Sequence, residues 1–272
     1  MHRAQGALLI RIMTEPIWHL HLGHSPLIAT AIHDGHALRS DVAGIMALDE
    51  AARLHEEDPF TGDWTALGGT RLIGTHSRFQ VDLNRPRASA IYLKPEQAWG
   101  LQVWTEQPTL DLLARSLAEY DAFYAETHRV LAEMVRRFDR FVVFDIHSYN
   151  YYREGPTAPP ADPIQNPEVN VGTGSLNRER WAPVIERFMA DLRTFDFLGR
   201  RLDVRENIKF FGGQFPRWIH QTFPDSACAL AIEFKKFFMD EWTGQPDPAQ
   251  LEAIRLALQS TVPGVLEELQ NL

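Results

Sequence analysis

The stretch FVVFDIHSYN, from Phe141 to Asn150, packs an unusual amount of chemistry behind an apolar run. Phe141, Val142, Val143 and Phe144 carry no polar alternation, which reads as a strand buried on both faces. Such a strand ends by delivering Asp145, His147 and Ser148 to the carboxyl edge of a sheet, where open α/β folds place their ligands. Side chains alternate along a strand, so Asp145 and His147 point the same way and the carboxylate can orient the imidazole. That pairing suits a metal-binding histidine and equally a core histidine satisfied by its neighbour. A second apolar run, PLIATAI, leads straight into His33-Asp34-Gly35-His36. A third, ALAIEF, embeds Glu233 between Ile232 and Phe234. A carboxylate is costly to bury alone, so Glu233 calls for a cation, a metal neighbour or a proton.

The composition limits what these groups can be doing. The chain has 272 residues, 44% hydrophobic and 23% charged, enough for a single α/β domain with a sizeable core. Its net charge of −9 argues against nucleic acid or an anionic membrane as the main partner. The one cysteine, Cys228, lies in an apolar run and reads as a buried structural thiol. A disulfide framework and a cysteine-rich zinc site are thereby excluded, so any metal must be held by histidine and carboxylate. No apolar stretch reaches the ~20 residues of a membrane span, and ALLIRIM is too short for a secretory signal. The expected location is cytoplasmic.

The elements that position the site can be taken in order. Residues 1–14 lack a pattern and are expected to be loosely attached. IWHLHL predicts an edge or half-buried strand with His19 and His21 facing solvent, and PLIATAI a second strand. Apolar residues from Ala37 to Leu54 recur at helical intervals and predict one amphipathic helix. It runs into His55-Glu56-Glu57-Asp58-Pro59, read in isolation as an exposed acidic turn. GTRLIGTHSRFQVDLNRPR predicts two short strands, with Asn84 and Arg85 at the turn before Pro86; an arginine there can present its planar fork to a substrate carboxylate. A long helix is predicted from Thr109 to Phe138, with Tyr124 and His128 as core or lining residues, crossing over to the Phe141 strand. A proline-rich loop follows, with a strand near Asn170, a helix over 178–194, the Phe211-Gly212-Gly213 turn, the Glu233 strand and a C-terminal helix from Pro248 to Leu269. Gly212-Gly213 marks a backbone position that needs glycine freedom.

Taken in order, His33, Glu57-Asp58, Asp82-Leu83-Asn84-Arg85-Pro86, Asp145-x-His147-Ser148, Asn170-x-Gly172-Thr173, Phe211-Gly212-Gly213 and Glu233 form a recognisable set. The chain resembles the N-formylglutamate amidohydrolase family, a branch related to the zinc carboxypeptidases and to aspartoacylase, from about Ser25 to Asp240. The resemblance implies a phosphorylase/hydrolase-like three-layer α/β/α fold with a mixed central sheet, and a zinc-dependent hydrolase with one Zn2+ ion. It implies His33 and His147 as imidazole ligands, with Glu57 as the third and His36 or Asp58 as alternates. Glu233 is implied as general base, Asp145 as the orienting carboxylate, and Arg85, Asn84, Ser148 and Asn170 as substrate contacts. In place of a His-Ser-Gly turn the chain has His33-Asp34-Gly35-His36. Its substrate loop is rich in proline and aromatics.

The residue types agree with that chemistry. Amide hydrolysis needs a nucleophile at neutral pH and a Lewis acid, which zinc on three protein ligands supplies. Two histidines and a carboxylate suit zinc. Glu233 is set to pass the water's proton to the leaving amine, and Arg85 to hold a carboxylate that positions the scissile bond. Ser148 beside His147 invites a serine-hydrolase reading, but the chain has no Gly-x-Ser-x-Gly elbow. The expected substrate is a small carboxylated amide such as an N-acyl amino acid. The other readings are a non-catalytic metal- or carboxylate-binding protein and a short-peptide metallopeptidase.

Overall fold

The computed structural model describes residues 15–272; the terminus expected to be loose lies outside the described residues. The elements run β1 (Trp18–His21), β2 (Leu27–Ala31), α1 (Ser40–Ala43), α2 (Glu50–Glu56), β3 (Thr70–Gly74), α3 (Leu110–Phe138), β4 (Phe141–Tyr149) and β5 (Val169–Gly172). They continue with α4 (Ala182–Thr194), β6 (Val204–Glu206), α5 (Gln214–Thr222), β7 (Ala227–Lys235), the β8 (Met239–Asp240) and β9 (Gln245–Pro246) hairpin, and α6 (Pro248–Asn271). Among the described residues seven strands form one sheet in the order β1-β3-β2-β4-β7-β5-β6. Its centre, β3-β2-β4-β7, is parallel, and the antiparallel pairings of β1 with β3 and β5 with β7 make it mixed. No helix among the described residues is long and apolar enough to cross a membrane.

Alternation along the central strands sorts their side chains between two cores. Val142, Phe144 and Ile146 of β4 and Cys228, Leu230 and Ile232 of β7 pack with Phe188 of α4 and Leu258 of α6. Phe141 and Val143, with Ala227 and Ala229, pack with Phe123 of α3 and Phe215 of α5. Helices therefore cover both faces. Asp145, His147 and Glu233 have the parity of this second face but lie beyond its apolar cover, at the carboxyl ends of their strands. The fold thus turns three ionisable groups toward one open region rather than toward a helix.

Several expectations meet the structure directly. β1 is an edge strand with His19 and His21 exposed. Thr109 caps α3, its hydroxyl accepting from the Leu112 amide, and the helix ends at Phe138 as its spacing predicts. The single helix expected over 37–54 is instead two, α1 and α2. Gly44 closes the first, the Ala47 amide then bonds to the Val103 carbonyl, and Asp49 starts the second by accepting from Ala52. The second strand expected near Phe79 is a buried, irregular segment, its Phe79 and Val81 packed in the core. The helix expected from residue 178 begins at Ala182. His128 is exposed rather than lining the core, whereas Tyr124 is half-buried and donates to the Leu83 carbonyl.

Candidate active site

His33 lies two residues beyond β2 and His147 near the end of β4, and the parallel pairing of these two strands brings the histidines together. Their ring centroids are 5.0 Å apart. The segment after α2 folds against them, the Asp58 amide bonding to the His33 carbonyl at 3.0 Å. Asp58 Oδ2 then stands 2.8 Å from His147 Nδ1 and 3.4 Å from His33 Nδ1. One ligand atom from each of the three residues lies within 4.8 Å of the others, and all three residues are buried. The acidic turn is thus an interior feature: Glu57 is fully enclosed and Asp58 nearly so.

The outer nitrogens are equally well defined. His33 Nε2 meets Asp82 Oδ1 at 2.8 Å, and His147 Nε2 meets Asp145 Oδ2 at 3.1 Å. Thr30 on β2 donates to the other Asp145 oxygen at 2.8 Å. Asp82 is held in turn by Arg78 at 2.8 Å and by the Tyr92 hydroxyl. Carboxylates on the far side of two imidazoles fix both Nδ1 atoms toward a common point, as metal-binding histidines require. His33 Nδ1 is buried without a hydrogen-bond partner, although Asp58 lies near it. These residues fit a divalent ion with nitrogen and oxygen preference, and zinc suits the set. Burial works to raise the Asp58 carboxyl, but hydrogen bonds and charge from His147 and His33 outweigh it and hold its pKa low. Asp82 is likewise held low despite its burial, by Arg78 and His33.

Glu57, expected as the third ligand, does not join the cluster. Its carboxylate accepts from Ser77 and pairs with His36 Nδ1, so His36 is also drawn away. The carboxylate the fold brings to the two histidines is Asp58, the alternate. Adjacent residues on a turn point apart, and here the backbone contact to His33 decides which one faces inward.

Glu233 sits opposite His147 in the β4–β7 register and lines the same pocket. Loss of hydration pushes its carboxyl up to about 7; the nearby His147 opposes that rise, and Asp58 and Asp145 reinforce it. The pocket, a cavity of about 300 Å³, is also lined by Ser148, Asn84 and Arg85. Arg85 has no ion pair among the described residues; its guanidinium lies over the Tyr92 ring at 5.4 Å. Ser148 Oγ is buried and unpartnered. Asn84 is partly committed to structure, its Oδ1 accepting from the Phe215 amide at the start of α5. Gly213 packs so closely there that a Cβ would fall 2.3 Å from that oxygen, and Gly212 has φ +101°. Asn170, expected to touch substrate, braces the loop before Gly212 instead. Its Oδ1 accepts from the Ile208 and Lys209 amides and its Nδ2 donates to the Phe210 carbonyl.

Reading the sequence missed Asp82 as a histidine partner, and it missed Arg78 and Lys236 in the pocket. Lys236 is almost wholly buried and donates to the His55 and Glu57 carbonyls at 2.6 and 2.8 Å. Asp82 had a readable signal: an aspartate between Val81 and Leu83 repeats the apolar setting of Asp145.

The family model described as N-formylglutamate amidohydrolase matches residues 25–239. The chain belongs to this family. Among solved structures it is similar to the N-formylglutamate amidohydrolase of Ralstonia eutropha JMP134, at 17% identity and a TM-score of 0.72. That match covers 94% of this chain and 99% of the other. A gene product from Agrobacterium tumefaciens matches at 15% identity and a TM-score of 0.61, over 93% of this chain and 96% of that one. A metallo-carboxypeptidase from Burkholderia cenocepacia matches at 14% identity and a TM-score of 0.38, covering 89% and 56%. No curated protein matches the chain in sequence. The fold expected from the motif order is thus the fold observed: a mixed sheet between helical layers, shared with an amidohydrolase of the same family.

Proposed function

We propose that this protein is a zinc-dependent amidohydrolase that removes a formyl or larger acyl group from an N-acyl amino acid. The observation that carries the reading is the convergence of His33 Nδ1, His147 Nδ1 and Asp58, with each imidazole backed by its own carboxylate. Zinc bound by these three residues supplies a Lewis acid for the scissile carbonyl and lowers the pKa of water.

The chain's own residues do the rest. Glu233, with a carboxyl poised near 7, takes the proton from the attacking water and returns it to the departing amine nitrogen. Arg85, half-buried and unpaired by any carboxylate among the described residues, receives the substrate's carboxylate through its planar fork. Ser148 Oγ offers a hydroxyl without a protein partner beside His147, suited to a polar atom of the substrate. Asn84 and the glycine turn fix the wall opposite, and Asp145 and Asp82 hold the imidazoles in place. Family membership supports the amide as the bond attacked.

The test is elemental analysis of the purified protein followed by turnover of an N-acyl amino acid panel with and without a chelator. One zinc per chain and chelator-sensitive release of the acyl group are expected. Stoichiometric zinc with no turnover of any member would favour a binding protein on the same fold.

A further inference from the structure

We infer that a second cavity beside the catalytic pocket selects an acyl chain ending in an ammonium or guanidinium group. This inference rests on the hydrolase reading above and names the substrate class it implies. The second cavity measures about 500 Å³ and shares Glu56, Trp99 and Arg153 with the catalytic pocket, so the two form adjoining chambers. A formyl group uses none of that space. A substrate that fills it must carry a longer acyl chain past the shared wall.

The lining of the outer chamber has a consistent charge. Asp49, Glu154 and Glu241 border it, and among the described residues none has an arginine or lysine partner. The positive groups opposed to them are Arg153, committed to Glu56 at 3.1 Å, and the His55 ring, whose Nε2 stands 3.4 Å from Glu241 Oε1. Glu241 is a buried charge, its oxygens accepting from the Tyr151 and Tyr152 amides at 2.6 and 2.7 Å. The inner pocket is the reverse, with Arg85 free of an ion pair and Arg78 and Lys236 alongside. One substrate satisfies both chambers when its carboxylate lies inward and its cation outward.

One further observation points to an occupant. Trp99 and Trp242 are 42% and 38% exposed where they border the outer chamber, an uncommon amount for tryptophan. Trp242 is nevertheless fixed, its Nε1 donating to the Tyr152 carbonyl at 2.8 Å and its ring lying 4.3 Å from that of His55. Trp99 already holds the Arg78 and Arg153 guanidiniums, 4.9 and 5.7 Å from its ring centre, so the indole left for a ligand cation is that of Trp242. Rigid indole faces beside carboxylates are the usual recognition elements for organic cations.

The experiment compares kcat/KM of the zinc-loaded protein on glutamate acylated with formyl, pentanoyl or 4-aminobutanoyl, the last two being equal in length and differing in charge. The expected result is about a tenfold preference for 4-aminobutanoyl over pentanoyl, falling toward parity in Trp242→Ala and in Glu154→Gln. Calorimetric titration with agmatine reads the same chamber without catalysis, and Trp242→Ala should weaken that binding. Hydrolysis of formylglutamate with equal rates on the two longer chains would overturn the inference and leave the hydrolase reading intact. Agmatine binding that depends on Trp242, with no hydrolysis of any member, would uphold the cation chamber and sink the hydrolase reading. No agmatine binding together with equal rates would overturn it as well.

Discussion

Asp82 and Asp145 each occupy the outer nitrogen of one histidine, and so decide which nitrogen is left for a metal. Replacing Asp82 by Asn keeps the size but removes the charge that orients and strengthens His33. Zinc affinity is expected to fall roughly 10- to 100-fold, read by competition with a chromophoric chelator. Unchanged affinity would deny Asp82 its orienting role. Glu233→Gln should lower kcat by roughly 10²- to 10⁴-fold with zinc retained, since only the proton carrier is lost. His147→Ala should lose the metal itself, and full zinc occupancy in that variant would remove His147 from the ligand set. His33, His147 and Glu233 were legible because each ends or interrupts a buried apolar run, which is where a polar residue must have a reason to be. Which of the two adjacent carboxylates joins the histidines was not legible. Glu57 and Asp58 are neighbours of the same chemistry, and only the backbone contact from Asp58 to His33 turns one inward and the other toward Ser77.

At the scale of elements, the long helix α3 and the strands β2, β4 and β7 were legible because their periodicity persists through most of each element. The helix break at Gly44 and Asp49 was visible as residue types but was overridden by the apolar spacing around it. Helix α5 went unread: at nine residues it is too short for its period to stand out beside the glycine turn. Lys236 shows what a pattern of apolar residues cannot. It follows β7 directly and reaches across to the main chain on either side of Glu56, just before Asp58. The strand carrying Glu233 and the turn carrying Asp58 are therefore tied by one buried ammonium group. Lys236→Met leaves two carbonyls without their donor, a loss of roughly 2–5 kcal/mol from a pair of unsatisfied buried groups. Urea denaturation should show that loss, and chelator competition should show weaker zinc binding in the fraction that remains folded. A folded Lys236→Met protein with native zinc affinity would mean the tie does not position Asp58.

For the whole molecule, the two cores lie on opposite faces of the sheet, so contacts that lock a helix onto the central strands matter to global stability. His220 makes one of them. It lies on α5, its Nε2 accepts from the Ala229 amide of β7 at 3.0 Å, and its Nδ1 is 2.9 Å from Ser175 Oγ. The amide requires Nε2 as an acceptor, so the ring must be neutral, and burial accordingly pushes its pKa down to about 4. The unfolded chain titrates at its ordinary value near 6.5. Between these values the unfolded state holds a proton that the folded state refuses, so stability rises with pH there. His220's contribution is complete above 6.5 and is lost as pH falls toward 4. The separation corresponds to about 3 kcal/mol in full, of which about 2 kcal/mol is gone by pH 5. Replacing His220 by Gln removes the titration but keeps an acceptor. The native protein should therefore lose about 2 kcal/mol more than His220→Gln between pH 7.5 and pH 5, measured by urea unfolding at each pH. Parallel losses in the two proteins would mean that His220 takes up its proton as readily folded as unfolded, and that the α5–β7 contact survives its charge.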